Sequence, residues 1–512
     1  MTYRLLSILA LVAASCSQAA HESVAPSAPA TSTVVAPAAP VAPDTEPRDN
    51  SVRSRDADNL LGFPTDIDRN PTTEDRLDYT GLPPSMVAAL SATPTPRYRF
   101  RTIPGYPGLL EFAIFNTGSG WEERFLVQTP TTPQTGPRPL VVVFHKFGSS
   151  HGDMLNSGFI PEAINRGWYA ICPLGARQKH FGNLESQINT RVAITLVRQL
   201  FPIDPLRVYG VGFSMGGGSA VNYAARHLDP KGTMFAAVCD HTGGVSLTHT
   251  WWSEYDDNDA DDNSPNPGDN LEVPDILEDL FGGAPSTHAF DYQRCSTIDL
   301  DPFTALIDPD SDFARNLAHV PTLVWRATGD PTAFLVNQTD RFTTYMQSLN
   351  AGNQSQLAPG SVHAWTTLDA NYVCNWFATR TLALPNSGRM LVDEDGQWLY
   401  FFVEQDAFGS FTPFTWSVDA TLKQIEISAS KNLKRLRITP AGFGLTLTGV
   451  VTLKLSTGDA TGDEFQFLYV PAAPVSVTRD GVPMRGVWDP LAKTFKVVET
   501  DGGLHTWVLT FP

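Results

Sequence analysis

The residues able to carry out covalent chemistry converge on one serine. Gly212-Phe213-Ser214-Met215-Gly216 fits the pattern Gly-x-Ser-x-Gly, in which small flanking residues let the backbone turn sharply and expose the hydroxyl. A serine hydroxyl attacks poorly until a base takes its proton, so the chain must also supply a histidine and an acid that orients it. Asp330 closes the segment VPTLVWRATGD and His363 follows in GSVHAW, giving the chain order serine, acid, histidine. Other candidates weigh less. Among the eleven histidines, His241 lies too close behind the preceding strand, His505 lies far towards the C-terminus, and His145 reads as a structural hydrogen-bonding residue. Asp240 is the rival acid. Together Ser214, Asp330 and His363 predict acyl transfer. His363 takes the proton as Ser214 attacks a carbonyl, Asp330 stabilises the imidazolium, and water then resolves the acyl-enzyme. Charge on the carbonyl oxygen needs preorganised N–H donors, of which the Met215 amide is the first.

Such a serine needs a strand before it and a helix after it. Residues 207–211 (RVYGV) read as the strand, and the stretch after Ser214 as the helix. Around them, 112–115 and 123–128 read as strands, and 139–144 (PLVVVF) and 168–172 as strands buried on both faces. Further strands are expected at 234–238 and 321–325, with helices near 153–165, 190–200, 335–349 and 371–382. Strands alternating with helices predict an α/β domain over 98–384, its mostly parallel sheet covered on both faces. A long interruption spans about 241–319, with a short helix at 274–281. Its Trp251 and Trp252 either line a substrate cleft or pack beneath the excursion. Its acidic run places Asp257, Asp259 and Asp261 at calcium-loop spacing but lacks the turn glycine and distal glutamate, so it reads as a solvated loop and no metal site is expected.

From 385 to 512 the pattern changes to period-two alternation: 398–403, 424–428, 435–438, 451–455, 465–469, 475–478, 494–498 and 506–511. Asp395-Gly396, Asp480-Gly481 and Asp501-Gly502 punctuate them as turns. This predicts an antiparallel β-sandwich-like accessory domain, either passive or able to hold the protein on a polymer.

Residues 98–384 resemble the α/β-hydrolase superfamily. Within it they are most similar to secreted esterases that include polyhydroxyalkanoate depolymerases, feruloyl esterases and cutinase-like polyester hydrolases. The run Ile203-Asp204-Pro205-Leu206-Arg207-Val208-Tyr209 leading into Gly212–Gly218 carries the resemblance. It implies a serine carboxylic-ester hydrolase, without a cofactor, acting on small or polymeric esters such as polyesters or esters of plant polymers. It also implies a second oxyanion donor in the turn His145-Lys146-Phe147-Gly148-Ser149-Ser150. Phe147 matches the donor residue, and its ring is placed to touch substrate. Two departures matter: Lys146 stands where relatives have glycine, and the stretch between Ser214 and Asp330 exceeds that of compact cutinases. Two readings compete with the esterase. A prolyl-oligopeptidase-type serine peptidase shares the chain order but carries a large N-terminal propeller. A non-catalytic binding protein would not need the complete serine, acid and histidine set.

The bulk properties agree. The 512 residues suggest two folded domains, and a formal net charge of -18 argues against nucleic acid and anionic membrane surfaces as partners. A monomer is expected. Residues 5–14 form an apolar run too short to span a bilayer, preceded by Arg4, as in a signal peptide covering 1–19. Ala13-Ala14-Ser15-Cys16 resembles a bacterial lipobox, so the expected location is outside the cytoplasm, secreted or lipid-anchored through Cys16. Residues 20–97 read as a Pro/Ala-rich linker and extension. Cys172, Cys239, Cys295 and Cys374 could form two disulfides, or Cys172 could be a buried thiol.

Overall fold

The structure is a computed structural model describing residues 98–116, 121–255, 272–304, 306–458 and 462–512. The expected signal peptide, Cys16, the expected linker and the acidic run at 256–263 lie outside the described residues. Among the described residues, no helix is long and apolar enough to cross a membrane.

Nine strands form the first sheet: β1 Tyr98–Thr102, β2 Leu109–Asn116, β3 Trp121–Gln128, β4 Arg138–Phe144, β5 Tyr169–Pro173, β6 Ile203–Phe213, β7 Ala237–His241, β8 Thr322–Ala327 and β9 Gln354–Ala358. Their spatial order is β1-β2-β3-β5-β4-β6-β7-β8-β9. Strands β4 to β9 run parallel, while β1 to β3 are antiparallel at one end. Among the described residues, eight helices accompany them: α1 Phe159–Arg166, α2 Leu184–Leu200, α3 Met215–Arg226, α4 Leu247–Tyr255, α5 Glu272–Phe281, α6 Ala289–Arg294, α7 Ala333–Leu349 and α8 Ala370–Ala378. The run PLVVVF explains the layering. Leu140 and Val142 belong to an apolar cluster that also holds residues of α2, α3 and α7, whereas Val141 and Val143 belong to one that holds residues of α1 and α8. With period two and both faces covered, every residue of β4 from Leu140 onward is buried. This is the α/β-hydrolase architecture.

The second region holds β10 Ser387–Val392, β11 Gly396–Trp398, β12 Phe401–Gln405, β13 Thr412–Asp419, β14 Gln424–Ser430, β15 Leu433–Ile438 and β16 Gly449–Thr457. It continues with β17 Asp463–Phe467, β18 Ser476–Arg479, β19 Val482–Pro483, β20 Val487–Asp489, β21 Thr494–Glu499 and β22 Leu504–Phe511. They form a seven-stranded and a six-stranded sheet. Two expectations need correction. The run 398–403 is not one strand, because Leu399 takes a positive φ of 54° and turns the chain between β11 and β12. Nor is the region wholly antiparallel: β14 pairs with β16, and β15 with β17, in parallel. The four cysteines are all buried free thiols, so the disulfide alternative is not realised.

The described residues all fall within one compact unit. Arg226 at the end of α3 donates through Nε and Nη2 to the Asp393 carboxylate, at 3.1 and 2.6 Å. Asn316 exchanges two hydrogen bonds with the Leu391 backbone. One apolar cluster runs through both regions.

Candidate active site

Because β4, β6, β8 and β9 are parallel, the loops that follow them lie along one edge of the sheet. Ser214 follows β6, Asp330 follows β8, His363 follows β9 and the His145–Ser150 turn follows β4. Ser214 takes φ 59° and ψ -126°, a strained conformation that persists only where the surroundings over-determine it. They do. Its N–H donates to the His241 carbonyl at 2.9 Å, and its own carbonyl accepts from Gly217 N at 2.9 Å. The glycines of the motif are steric requirements: a Cβ on Gly212 would sit 1.9 Å from the Gly216 oxygen, and one on Gly216 would sit 2.2 Å from the Phe144 oxygen.

His363 Nδ1 lies 2.8 Å from Asp330 Oδ2. A carboxylate accepts, so Nδ1 carries the proton and Nε2 is left as the basic nitrogen. The Asp330 carboxylate is buried, and its Oδ1 accepts the Thr332 N–H at 3.0 Å. The His363 ring packs 4.4 Å from the ring of Phe213, the residue before the serine. Nε2 of His363 is buried and makes no hydrogen bond among the described residues, so the bond from the Ser214 hydroxyl is not made here.

The rival residues are placed elsewhere. Asp240 is fully buried beneath the turn, bonds to no histidine among the described residues, and burial pushes its pKa up to about 7 against the opposing Gly243 amide. His241 is buried, held at Nε2 by Thr367 at 2.9 Å, and burial drives its pKa down to about 3. His505 lies on β22 against Asp480 and Asp501. The ring nitrogens of His145 lie 2.9 Å from the Lys146 and Leu174 carbonyl oxygens, a structural role.

Met215 opens α3, where its N–H has no intrahelical acceptor. In the second turn, Lys146 is exposed and does not take a positive φ; Gly148 takes it instead, at 67°. The positive φ of the turn thus falls two residues after Lys146. Lys146 N–H donates to Asp153 Oδ2 at 3.2 Å, and Gly148 N–H to the Gln178 carbonyl at 3.2 Å. Half-buried Phe147 lies 5.4 Å from Phe181, with the Lys179 ammonium 5.3 Å from its ring centre. Met215, Phe181, Leu247, Trp251, Leu277 and Phe281 form an apolar cluster against which Phe147 and Trp252 pack. Within it Trp251 is buried, stacked on Tyr255 at 4.3 Å, with its indole N–H donating to Glu278. Trp252 is half-buried against the exposed Phe303, at 5.5 Å.

Sequence reasoning missed Asp153, Phe181 and Trp365. None sits in a motif, and Asp153 and Trp365 meet across 212 positions of chain. It also missed β9, whose residues QSQLA show no apolar alternation because the strand is an edge with little burial.

No family model matches the chain, and no curated protein matches it. Among solved structures it is similar to an S-formylglutathione hydrolase from Agrobacterium tumefaciens, at 16% identity and TM-score 0.38, covering 55% of this chain and 97% of that one. A ferulic acid esterase matches at 15% identity and TM-score 0.35, over 53% of this chain and 94% of that one. An acylaminoacyl peptidase from Pyrococcus horikoshii matches at 14% identity and TM-score 0.37, over 54% of this chain and 42% of that one.

Proposed function

We propose that this chain is an exported serine hydrolase that cleaves carboxylic esters through an acyl-enzyme. The observation that carries the reading is the Asp330–His363 pair at 2.8 Å, on the same sheet edge as a serine held at φ 59°. Asp330 fixes the tautomer that presents Nε2 as base, and Ser214 is the nucleophile. The open Ser214–His363 contact is of the kind that substrate binding tightens. The amides of Met215 and Phe147 would receive the charge of the tetrahedral intermediate. The apolar cluster containing Met215 and Phe181, with Phe147 packed on it, supports an apolar or aromatic acyl group. The leader with Cys16 supports export and lipid attachment.

The test is hydrolysis of p-nitrophenyl esters of increasing acyl length, beside an aminoacyl p-nitroanilide. The expected result is ester turnover that Ser214→Ala lowers by at least about 10³-fold. Turnover of the anilide alone would favour a peptidase, and equal turnover by wild type and Ser214→Ala would remove the reading.

A further inference from the structure

We propose that Asp153 is a positioning residue that ties the oxyanion turn to the histidine loop, an inference that rests on the serine-esterase reading. One oxygen of this buried side chain, Oδ2, accepts two N–H groups from different segments, one after β4 and one after β9. The backbone N–H of Lys146, directly before the Phe147 donor, reaches it at 3.2 Å. The indole N–H of Trp365, two residues after His363, reaches it at 2.8 Å.

The tie extends through packing. The Trp365 ring lies 5.5 Å from Phe213, and Phe213 lies 4.4 Å from His363. Asp153 thereby holds together the turn that would stabilise the oxyanion, the loop bearing the base and the residue before the nucleophile. It touches no reacting atom. Its effect is on distance: the turn follows β4 and the histidine follows β9, and no backbone hydrogen bond joins those two strands in the sheet order. A carboxyl oxygen bridging the two loops fixes a separation that the sheet alone leaves to the loops. Transition-state stabilisation depends on such separations far more steeply than substrate binding does.

The experiment compares Asp153→Leu, Asp153→Asn, Trp365→Phe and the double variant Asp153→Leu/Trp365→Phe in steady-state ester hydrolysis, with Ser214→Ala alongside. Trp365→Phe removes the indole N–H while keeping an aromatic ring, so it tests the tie even if Asp153→Leu does not fold. The expected result is that kcat falls roughly ten- to hundredfold in Asp153→Leu while KM moves less than about threefold. Asp153→Asn, which keeps one carbonyl acceptor, recovers most of that loss. Trp365→Phe lowers kcat, and the double variant is no worse than Asp153→Leu because both remove the same link. Folded Asp153→Leu and Trp365→Phe proteins with kcat within about twofold of wild type, or losses that multiply in the double variant, overturn the proposal. Ser214→Ala separates the outcomes. Full activity in Ser214→Ala defeats the esterase reading itself, whereas an inactive Ser214→Ala beside fully active Asp153 variants defeats the tie alone.

Discussion

Ser214 occupies a backbone conformation that costs on the order of 1–3 kcal/mol for a residue with a side chain. Glycines at 212, 216, 217 and 218 let neighbouring backbone close around it. Asp240 shows what that closeness imposes: a Cβ on Gly217 would lie 2.4 Å from its Oδ1, leaving little room for water around the carboxyl. Burial raises its pKa from the usual 3.8 to about 7. The folded state therefore binds a proton that the unfolded state releases between those values. The stability this contributes is present at low pH and is lost as pH rises towards and through 7. Asp240→Asn should accordingly stabilise the protein at pH 8, by about 1–4 kcal/mol, and much less at pH 5. Urea unfolding of both proteins at the two pH values measures this. An equal effect at both would mean that Asp240 does not titrate in that range.

At the scale of elements, legibility followed burial. The strand before Ser214 and the helix after it could be read directly, because a continuous apolar run and a glycine-flanked turn are local signals. The C-terminal edge of a parallel sheet then places the ends of β6, β8 and β9 together without further information. Strand β9 was illegible for the opposite reason: an edge strand need not be apolar, so QSQLA offers no alternation to read. The hairpin of β11 and β12 was hidden by Leu399 at positive φ, where glycine or asparagine would have marked the turn. Parallel pairing of β14 with β16 leaves no trace in either strand alone. The Asp153–Trp365 contact likewise depends on two loops meeting, which spacing along the chain cannot reveal.

At the scale of the whole molecule, the β-rich region shares its core with the α/β region. The guanidinium of Arg226 is buried, and Asp393 of the β-rich region holds it from one side. On the other side Arg226 donates to Gln187 at 2.7 Å, and Gln187 donates to the Gly182 carbonyl next to Phe181. The second region thus reaches the wall of the apolar cluster beside Ser214. Asp393→Ala leaves a buried cation facing fewer acceptors, and should cost about 3–5 kcal/mol. Replacing both partners, as Arg226→Met/Asp393→Leu, should cost less than Asp393→Ala alone. Chemical denaturation of the full chain measures both. A double variant as unstable as the single one would show that the pair matters through packing rather than charge.

The central claim is that Ser214 is the nucleophile. Its most direct test is to incubate the folded protein with a fluorophosphonate and locate the adduct by mass spectrometry of its peptides. The account predicts stoichiometric modification on Ser214, abolished in Ser214→Ala and strongly slowed in His363→Ala. Modification at another residue, or none in a correctly folded protein, would contradict it.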